Sequence, residues 1–174
     1  EMGGQNAAIV LEDADLDAAA DAIISGAMGF AGQKCTATRR VVVVSQVREQ
    51  LEAKLVERVR GLSVGDPEQS GVTVGPLISE SAVEEFEAAR SAALEAGATE
   101  LAVAEAPEGE GYFVSPALLR QDDPAATVNQ EETFGPLLTL IEVADEDAAV
   151  EAANATRFGL VGAVFSAVRR WMAR

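Results

Sequence analysis

The chain has 174 residues, 48% of them hydrophobic and 24% charged, which is enough to build the core of one globular domain. Thirteen basic side chains stand against 29 acidic ones, a formal net charge of −16, so we expect no nucleic-acid partner and no anionic membrane partner. Histidine is absent and cysteine occurs once, which excludes a Ser-His-Asp triad, a Cys-His dyad, a His-ligated metal site and a cysteine-rich zinc site. We therefore expect no metal. Because no membrane-length apolar stretch or leader segment is present, we also expect a cytoplasmic protein.

In the first half of the chain, apolar runs and helical spacing alternate. Residues 7–11 form a short apolar run that predicts a buried strand, and the spacing of larger apolar side chains predicts a helix over 16–28. The segment from Gly29 to Cys35 breaks that helix. The β-branched run of 40–44 is the clearest strand, and apolar residues spaced by four predict a helix over 47–59.

In the second half the same alternation returns after a loop-rich passage at 61–79. The predicted elements are a helix from 79–81 to about Ala96, a short strand at 101–103, an extended piece at 112–114, a strand at 137–143, a helix at 145–155 and a final strand at 160–165. Strands that alternate with helices predict an α/β fold, a mostly parallel sheet covered by helices.

The single cysteine, Cys35, is the first candidate for chemistry. A thiolate is a strong nucleophile, Gly32 just before it permits a close backbone approach, and the small residues after it leave room for a substrate carbonyl. The alternative is a buried cysteine that serves as a small hydrophobe. Local composition alone does not separate these two interpretations.

Two further segments carry side chains suited to a site. Glu1 stands ahead of Gly3 and Gly4, where the glycines allow the backbone to bend a carboxylate into a pocket. Glu132 and Phe134 lie in a run that ends in Gly-Pro, an acid and an aromatic ring on a stiffened turn. Each of these residues alone is weak evidence, since Glu1 fits a solvated terminus, a Glu-Glu pair is usually a surface feature, and Phe134 by itself is more often a core aromatic.

The order of the three segments resembles the aldehyde dehydrogenase superfamily. Glu-x-Gly-Gly opens the chain, Gly-Gln-x-Cys ends at Cys35, and Glu-x-Phe-Gly-Pro begins at Glu132. Residues 6–17, 75–78 and 111–116 resemble other stretches of that family, so the likeness covers roughly 1–166. It implies an incomplete catalytic, thiol-bearing domain over 1–166 of the aldehyde dehydrogenase type, with an unassigned tail at 167–174 and the upstream cofactor-binding domain absent.

The resemblance also implies a mechanism and roles for four residues. Cys35 would attack a small-molecule aldehyde to give a thiohemiacetal, and hydride transfer to NAD or NADP would leave a thioester. Glu1 would be the general base, Glu132 would accept hydrogen bonds from the nicotinamide ribose, and Phe134 would pack near the nicotinamide. The run around Cys35 looks most like members that oxidise semialdehydes of carboxylic acids, such as 2-oxoglutarate semialdehyde. A full-length parent would be a homo-oligomer.

Three departures from the family pattern leave an alternative open. The residues contain no Gly-rich dinucleotide loop, Gln5 stands where lysine is common, and 167–174 matches nothing recognisable. The alternative is a non-catalytic remnant or interaction domain without cofactor affinity, with or without residual esterase activity at Cys35.

Overall fold

A computed structural model describes residues 3–168. Its strands are β1 (Asn6–Val10), β2 (Thr38–Val44), β3 (Thr99–Val103), β4 (Ala117–Arg120), β5 (Leu137–Val143) and β6 (Gly162–Phe165). Its helices are α1 (Leu16–Met28), α2 (Arg48–Arg60), α3 (Glu80–Glu95), α4 (Thr127–Gln130) and α5 (Glu146–Asn154), and a 3₁₀ turn covers Gly29–Gly32.

The strands form one sheet in the order β3-β4-β5-β2-β1-β6. β3 runs antiparallel to β4, whereas all the other neighbours are parallel. The predicted mostly parallel sheet covered by helices is therefore confirmed. Every residue of β1 is buried, as are six consecutive residues of β2, which requires that both faces of these central strands be covered.

The main difference from the predicted elements is β4. Its sequence, Ala-Leu-Leu-Arg, has no β-branched or aromatic residue, so propensity does not mark it as a strand. It becomes one because it lies between β3 and β5, which supply hydrogen-bonding partners on both sides. The extended piece at 112–114 does not join the sheet, and the final strand begins at Gly162 rather than at 160.

The sheet topology gathers particular loops at one edge. Because β5, β2, β1 and β6 are neighbours and run parallel, the segments that precede them all lie at the amino ends of these strands. Three of those segments are the candidate motifs of the sequence. Among residues 3–168, no helix combines the length and the apolar character that crossing a bilayer requires.

Candidate functional site

The three candidate segments meet at the amino edge of the sheet. Gly3 and Gly4 enter β1, Cys35 lies just before β2, and Glu132 lies in the loop that leads into β5. Glu1, the candidate base, falls outside the described residues, so its predicted place in the site stays a prediction. Cys35 is a free, partly buried thiol.

The loop that carries Cys35 has an unusual backbone. Phe30, Ala31 and Gly32 all adopt the left-handed conformation, with φ of 55°, 53° and 69°. Only glycine takes this conformation freely, and each other residue held there costs on the order of 1–2 kcal/mol. The surrounding contacts must therefore impose the shape of the loop, and several of them are visible.

Glycines make the closest of these contacts. A Cβ on Gly4 would collide with the Cys35 carbonyl oxygen, and a Cβ on Gly32 would collide with the Gly135 carbonyl. A Cβ on Gly3 would lie 3.1 Å from Glu132 Oε2. The glycines of the first two segments thus let each backbone come against another of the candidate segments, because they carry no side chain.

Asn6, the first residue of β1, fastens the segment after Cys35. Its buried side-chain amide donates to the carbonyl oxygens of Cys35 and Ala37, both at 2.8 Å. Its Oδ1 accepts from the Val161 N–H at 3.1 Å, on the approach to β6. One side chain therefore joins three segments of the amino edge.

Gln33 fastens the other side of the cysteine loop. Its Nε2 donates to the Pro76 carbonyl at 3.2 Å, and its Oε1 accepts from the Ile78 N–H at 2.8 Å. The same amide donates to Phe30 O at 3.3 Å, within the left-handed stretch. Gln33, read from the sequence as part of the cysteine motif, holds the loop in place.

Gln5 occupies the position where the family commonly has lysine. The side chain is buried, and its Nε2 donates to the carbonyls of Val128, at 3.3 Å, and Glu131. An uncharged amide can satisfy these backbone oxygens without the cost of burying an ammonium group. The Gln5 side chain therefore holds the start of β1 against the turn that precedes Glu132.

Arg39 is a residue of the site that sequence reasoning did not identify. It is 3% exposed, and it donates from Nη1 to Gly135 O at 2.7 Å and from Nη2 to Gly32 O at 2.6 Å. Burial lowers the pKa of Arg39 to about 10, while the charge of Glu132 opposes that shift, so the guanidinium stays protonated at neutral pH. The signal for it was an arginine pair at the start of a buried β-branched strand.

Arg40, the second residue of that pair, has a structural environment. It is 1% exposed and donates to the carbonyl oxygens of Gln5, Ala152 and Ala153 at 2.6 to 3.0 Å. The last two carbonyls belong to the final turn of α5, where a cation is favourable. Burial lowers the pKa of Arg40.

Glu132 and Phe134 both lie against Arg39. Glu132 Oε1 is 4.0 Å from Arg39 Nη2, and the guanidinium lies 5.7 Å from the centroid of the Phe134 ring. Within residues 3–168, Glu132 Oε1 is buried and accepts no hydrogen bond. A buried carboxylate oxygen with free acceptor capacity is suited to a ligand hydroxyl.

The described part of the chain contains no group of three or more His, Cys, Asp or Glu side chains placed to hold a metal ion. What the amino edge offers is a thiol, a carboxylate with an open acceptor, an aromatic ring and several backbone amides.

Comparison with known proteins gives the same family for nearly the whole chain. The sequence profile of the aldehyde dehydrogenase family matches residues 1–173. A 1-pyrroline-5-carboxylate dehydrogenase from Geobacillus kaustophilus is 38% identical over 95% of this chain and 32% of its own length. An alpha-ketoglutaric semialdehyde dehydrogenase from Bacillus subtilis is 39% identical over 95% of this chain and 35% of its own length. The chain thus spans about a third of these curated relatives.

Solved structures agree with the sequence comparison. A betaine aldehyde dehydrogenase from Staphylococcus aureus, in complex with NAD+, superposes with a TM-score of 0.91 at 32% identity over 96% of this chain and 34% of that one. Lactaldehyde dehydrogenase from Escherichia coli gives 0.92 at 33% identity over 97% of this chain and 36% of that one. Fold, motifs and relatives lead to one conclusion: the chain belongs to the aldehyde dehydrogenase family.

Proposed function

We propose that this chain is the catalytic portion of an NAD- or NADP-dependent aldehyde dehydrogenase, which oxidises an aldehyde to a carboxylic acid. The observation that carries the proposal is the convergence of Cys35, Gly3-Gly4 and Glu132–Pro136 on the amino edge of one sheet. These segments are far apart in the chain, yet they touch through backbone atoms in the structure. Family membership supports the same reaction class.

Cys35 is the proposed nucleophile. Its thiolate forms a bond to the aldehyde carbon, and the carbonyl π electrons move to oxygen, which gives a thiohemiacetal anion. The Cys35 main-chain N–H is the proposed donor to that oxyanion, a type of contact commonly worth about 3 kcal/mol of barrier. Re-formation of the carbonyl expels the hydride and leaves a thioester. Glu1 is the proposed base. It takes a proton from the water molecule that hydrolyses the thioester.

Glu132 and Phe134 are the proposed contacts to the cofactor. NAD or NADP, when bound, would supply the hydride acceptor for this chemistry. The open acceptor on Glu132 Oε1 suits a ribose hydroxyl, and the Phe134 ring offers an apolar face for the nicotinamide. The structure of the Staphylococcus aureus betaine aldehyde dehydrogenase is a complex with NAD+, and this bound cofactor in a relative of the same fold supports the proposal.

For the substrate we propose a small semialdehyde of a carboxylic acid. This follows the resemblance of the run around Cys35, and one relative carries the name alpha-ketoglutaric semialdehyde dehydrogenase. We also propose that the partner is a small molecule, that the full-length parent is a homo-oligomer and that the protein is cytoplasmic. The formal net charge of −16 supports the expectation of no nucleic-acid or anionic membrane partner.

The first test measures acyl transfer to Cys35 in the chain as it stands. An activated ester such as p-nitrophenyl acetate should release a burst of p-nitrophenolate stoichiometric with protein, and Cys35→Ala should abolish the burst. Ser45→Ala is the matched control, because Ser45 is exposed just beyond the carboxyl end of β2, opposite the site. A burst of equal size in Cys35→Ala would refute the nucleophile assignment.

The second test measures aldehyde oxidation. In a full-length enzyme that carries this chain, aldehyde-dependent reduction of NAD or NADP should require Cys35 and should fall by at least about a thousandfold in Cys35→Ala. The 174-residue chain alone is expected to show little turnover. Calorimetric titration with NAD and NADP separates the proposal from a non-catalytic remnant, since a full-length enzyme that binds neither cofactor would support the remnant.

A further inference from the structure

We propose that Arg39 is a positioning residue that holds the Cys35 loop and the Glu132 carboxylate at a fixed separation. The part of this inference that concerns cofactor binding rests on the proposed function. The bridge that Arg39 forms between the cysteine loop and the loop before β5, called the clamp below, rests on geometry alone. The Arg39 side chain reaches the cysteine loop through the carbonyl oxygens of Gly32 and Lys34. It acts through the backbone on either side.

The first step of the argument is the pattern of hydrogen bonds. One nitrogen of the guanidinium reaches Gly135 O, in the loop before β5, and the other reaches Gly32 O, in the cysteine loop. The second nitrogen also lies 3.3 Å from Lys34 O, directly before the thiol residue. A planar fork with several donors can bridge two backbones in this way, whereas an ammonium group acts as a single point charge.

The second step concerns charge. The Glu132 oxygen nearest to Arg39 is 4.0 Å away, which is an ion-pair distance but too long for a hydrogen bond. Arg39 therefore offsets the charge of the carboxylate and leaves its acceptor capacity free for a ligand. The Phe134 ring, packed against the same guanidinium, is held by a cation–π contact. Both candidate cofactor contacts thus depend on one buried side chain.

The third step is the contrast with Arg40. The two arginines are adjacent in β2, and both are almost fully buried. Arg40 donates to Gln5 and to the carboxyl end of α5, and it contributes none of the bonds that hold Gly32 or Gly135. Replacement of Arg39 or of Arg40 by lysine removes one buried guanidinium group from β2. Arg40→Lys is therefore a matched control for general destabilisation.

Hydrogen exchange of the full chain tests the clamp. In Arg39→Lys, amides of residues 30–37 and 132–135 should exchange about tenfold faster or more, while those of Val41–Val44 stay protected. Arg40→Lys should instead speed exchange at the carboxyl end of α5 and leave the two loops unchanged. Unchanged loops in Arg39→Lys, or a uniform increase over the whole chain, would overturn the proposal.

A double-mutant cycle tests the positioning of Glu132. In a full-length enzyme that carries this chain, dissociation constants of the cofactor that it binds, NAD or NADP, are measured for the wild type, Arg39→Lys, Glu132→Gln and the double variant. We expect the two single changes to be non-additive by about tenfold, since each removes the same arrangement. Additive effects would overturn the positioning role. A wild-type enzyme that binds neither NAD nor NADP would refute the proposed function instead, and hydrogen exchange would still test whether Arg39 holds the two loops together.

Discussion

At the scale of single residues, the site depends on backbone atoms that touch. The cysteine loop approaches the loop before β5 so closely that Gly32 faces the Gly135 carbonyl with no room for a side chain. Two non-glycine residues beside it, Phe30 and Ala31, adopt left-handed backbone conformations that they would not choose alone. Strain of this kind persists only where neighbours over-determine the shape. Here Gln33, Asn6 and Arg39 supply the bonds that do so.

Gly32→Ala tests this close approach. We expect a loss of about 3 kcal/mol or more in the free energy of unfolding, because the change combines a positive φ with overpacking against backbone. Gly71→Ala is the matched control, since Gly71 also has a positive φ of 89° but has nothing within 4 Å of the added Cβ. It should cost only about 1 kcal/mol. Equal losses in urea denaturation would contradict the crowding argument.

At the scale of elements, the site lies at the amino ends of parallel strands. Ligands in open α/β sheets usually bind beyond the carboxyl ends of strands, at a topological switch point. In this chain the segments before β5, β2 and β1 carry the motifs, and those strands are successive neighbours. Adjacent parallel strands bring the segments that precede them together, whatever their distance in the sequence. The fold thereby brings three motifs that are remote in sequence together at one candidate site.

Asn6 joins these elements, and its substitution tests how firmly they are held. In Asn6→Asp the two donated bonds to Cys35 and Ala37 are lost, and a carboxylate faces two carbonyl oxygens. We expect a loss of about 3 kcal/mol in thermal or urea denaturation, because a buried charge and two buried acceptors are left unsatisfied. Asn154→Asp, the same change at an exposed position, should cost under about 1 kcal/mol. A smaller loss at Asn6 than at Asn154 would refute this role.

At the scale of the whole molecule, charge is the dominant feature. The chain has 29 acidic and 13 basic residues, so one-to-one pairing would leave more than half of the carboxylates without a basic partner. The ion pairs that do form are largely at the surface, such as Asp17 with Lys54 and Arg58, and these contacts lower the pKa of Asp17. Repulsion among the remaining carboxylates opposes the compact state.

Added salt should therefore stabilise this protein. Raising the ionic strength shortens the Debye length to about 10 Å at 0.1 M and about 3 Å at 1 M, which screens repulsion between exposed carboxylates. We expect the thermal midpoint at pH 7 to rise by several degrees between low salt and 0.5 M sodium chloride. Sucrose, which carries no charge, is the control for exclusion effects. A midpoint that falls with salt would show that attractive pairs outweigh the repulsion.

The success of sequence reasoning differed from residue to residue, for physical reasons. The predicted helix over 16–28 and the strand over 137–143 coincide with α1 and β5, because their patterns are local and strong. Ser79 and Asp145 are N-caps, as helix-start residues should be. β4 was missed because neighbours rather than propensity make it a strand. Arg39 was missed because an arginine pair before a buried strand does not show which carbonyl oxygens it reaches, and the Gly135 oxygen is 96 residues away in the sequence.

By itself the sequence determined the fold class, the family and the identity of the candidate nucleophile. Periodicity is a property of neighbouring residues, and motif order can be read along a line. The tertiary structure alone decided which residues meet. It brought Gly32 against Gly135 and placed Arg39 between Cys35's loop and Glu132. Such contacts depend on strand order and on the space between backbones, and local pattern encodes neither.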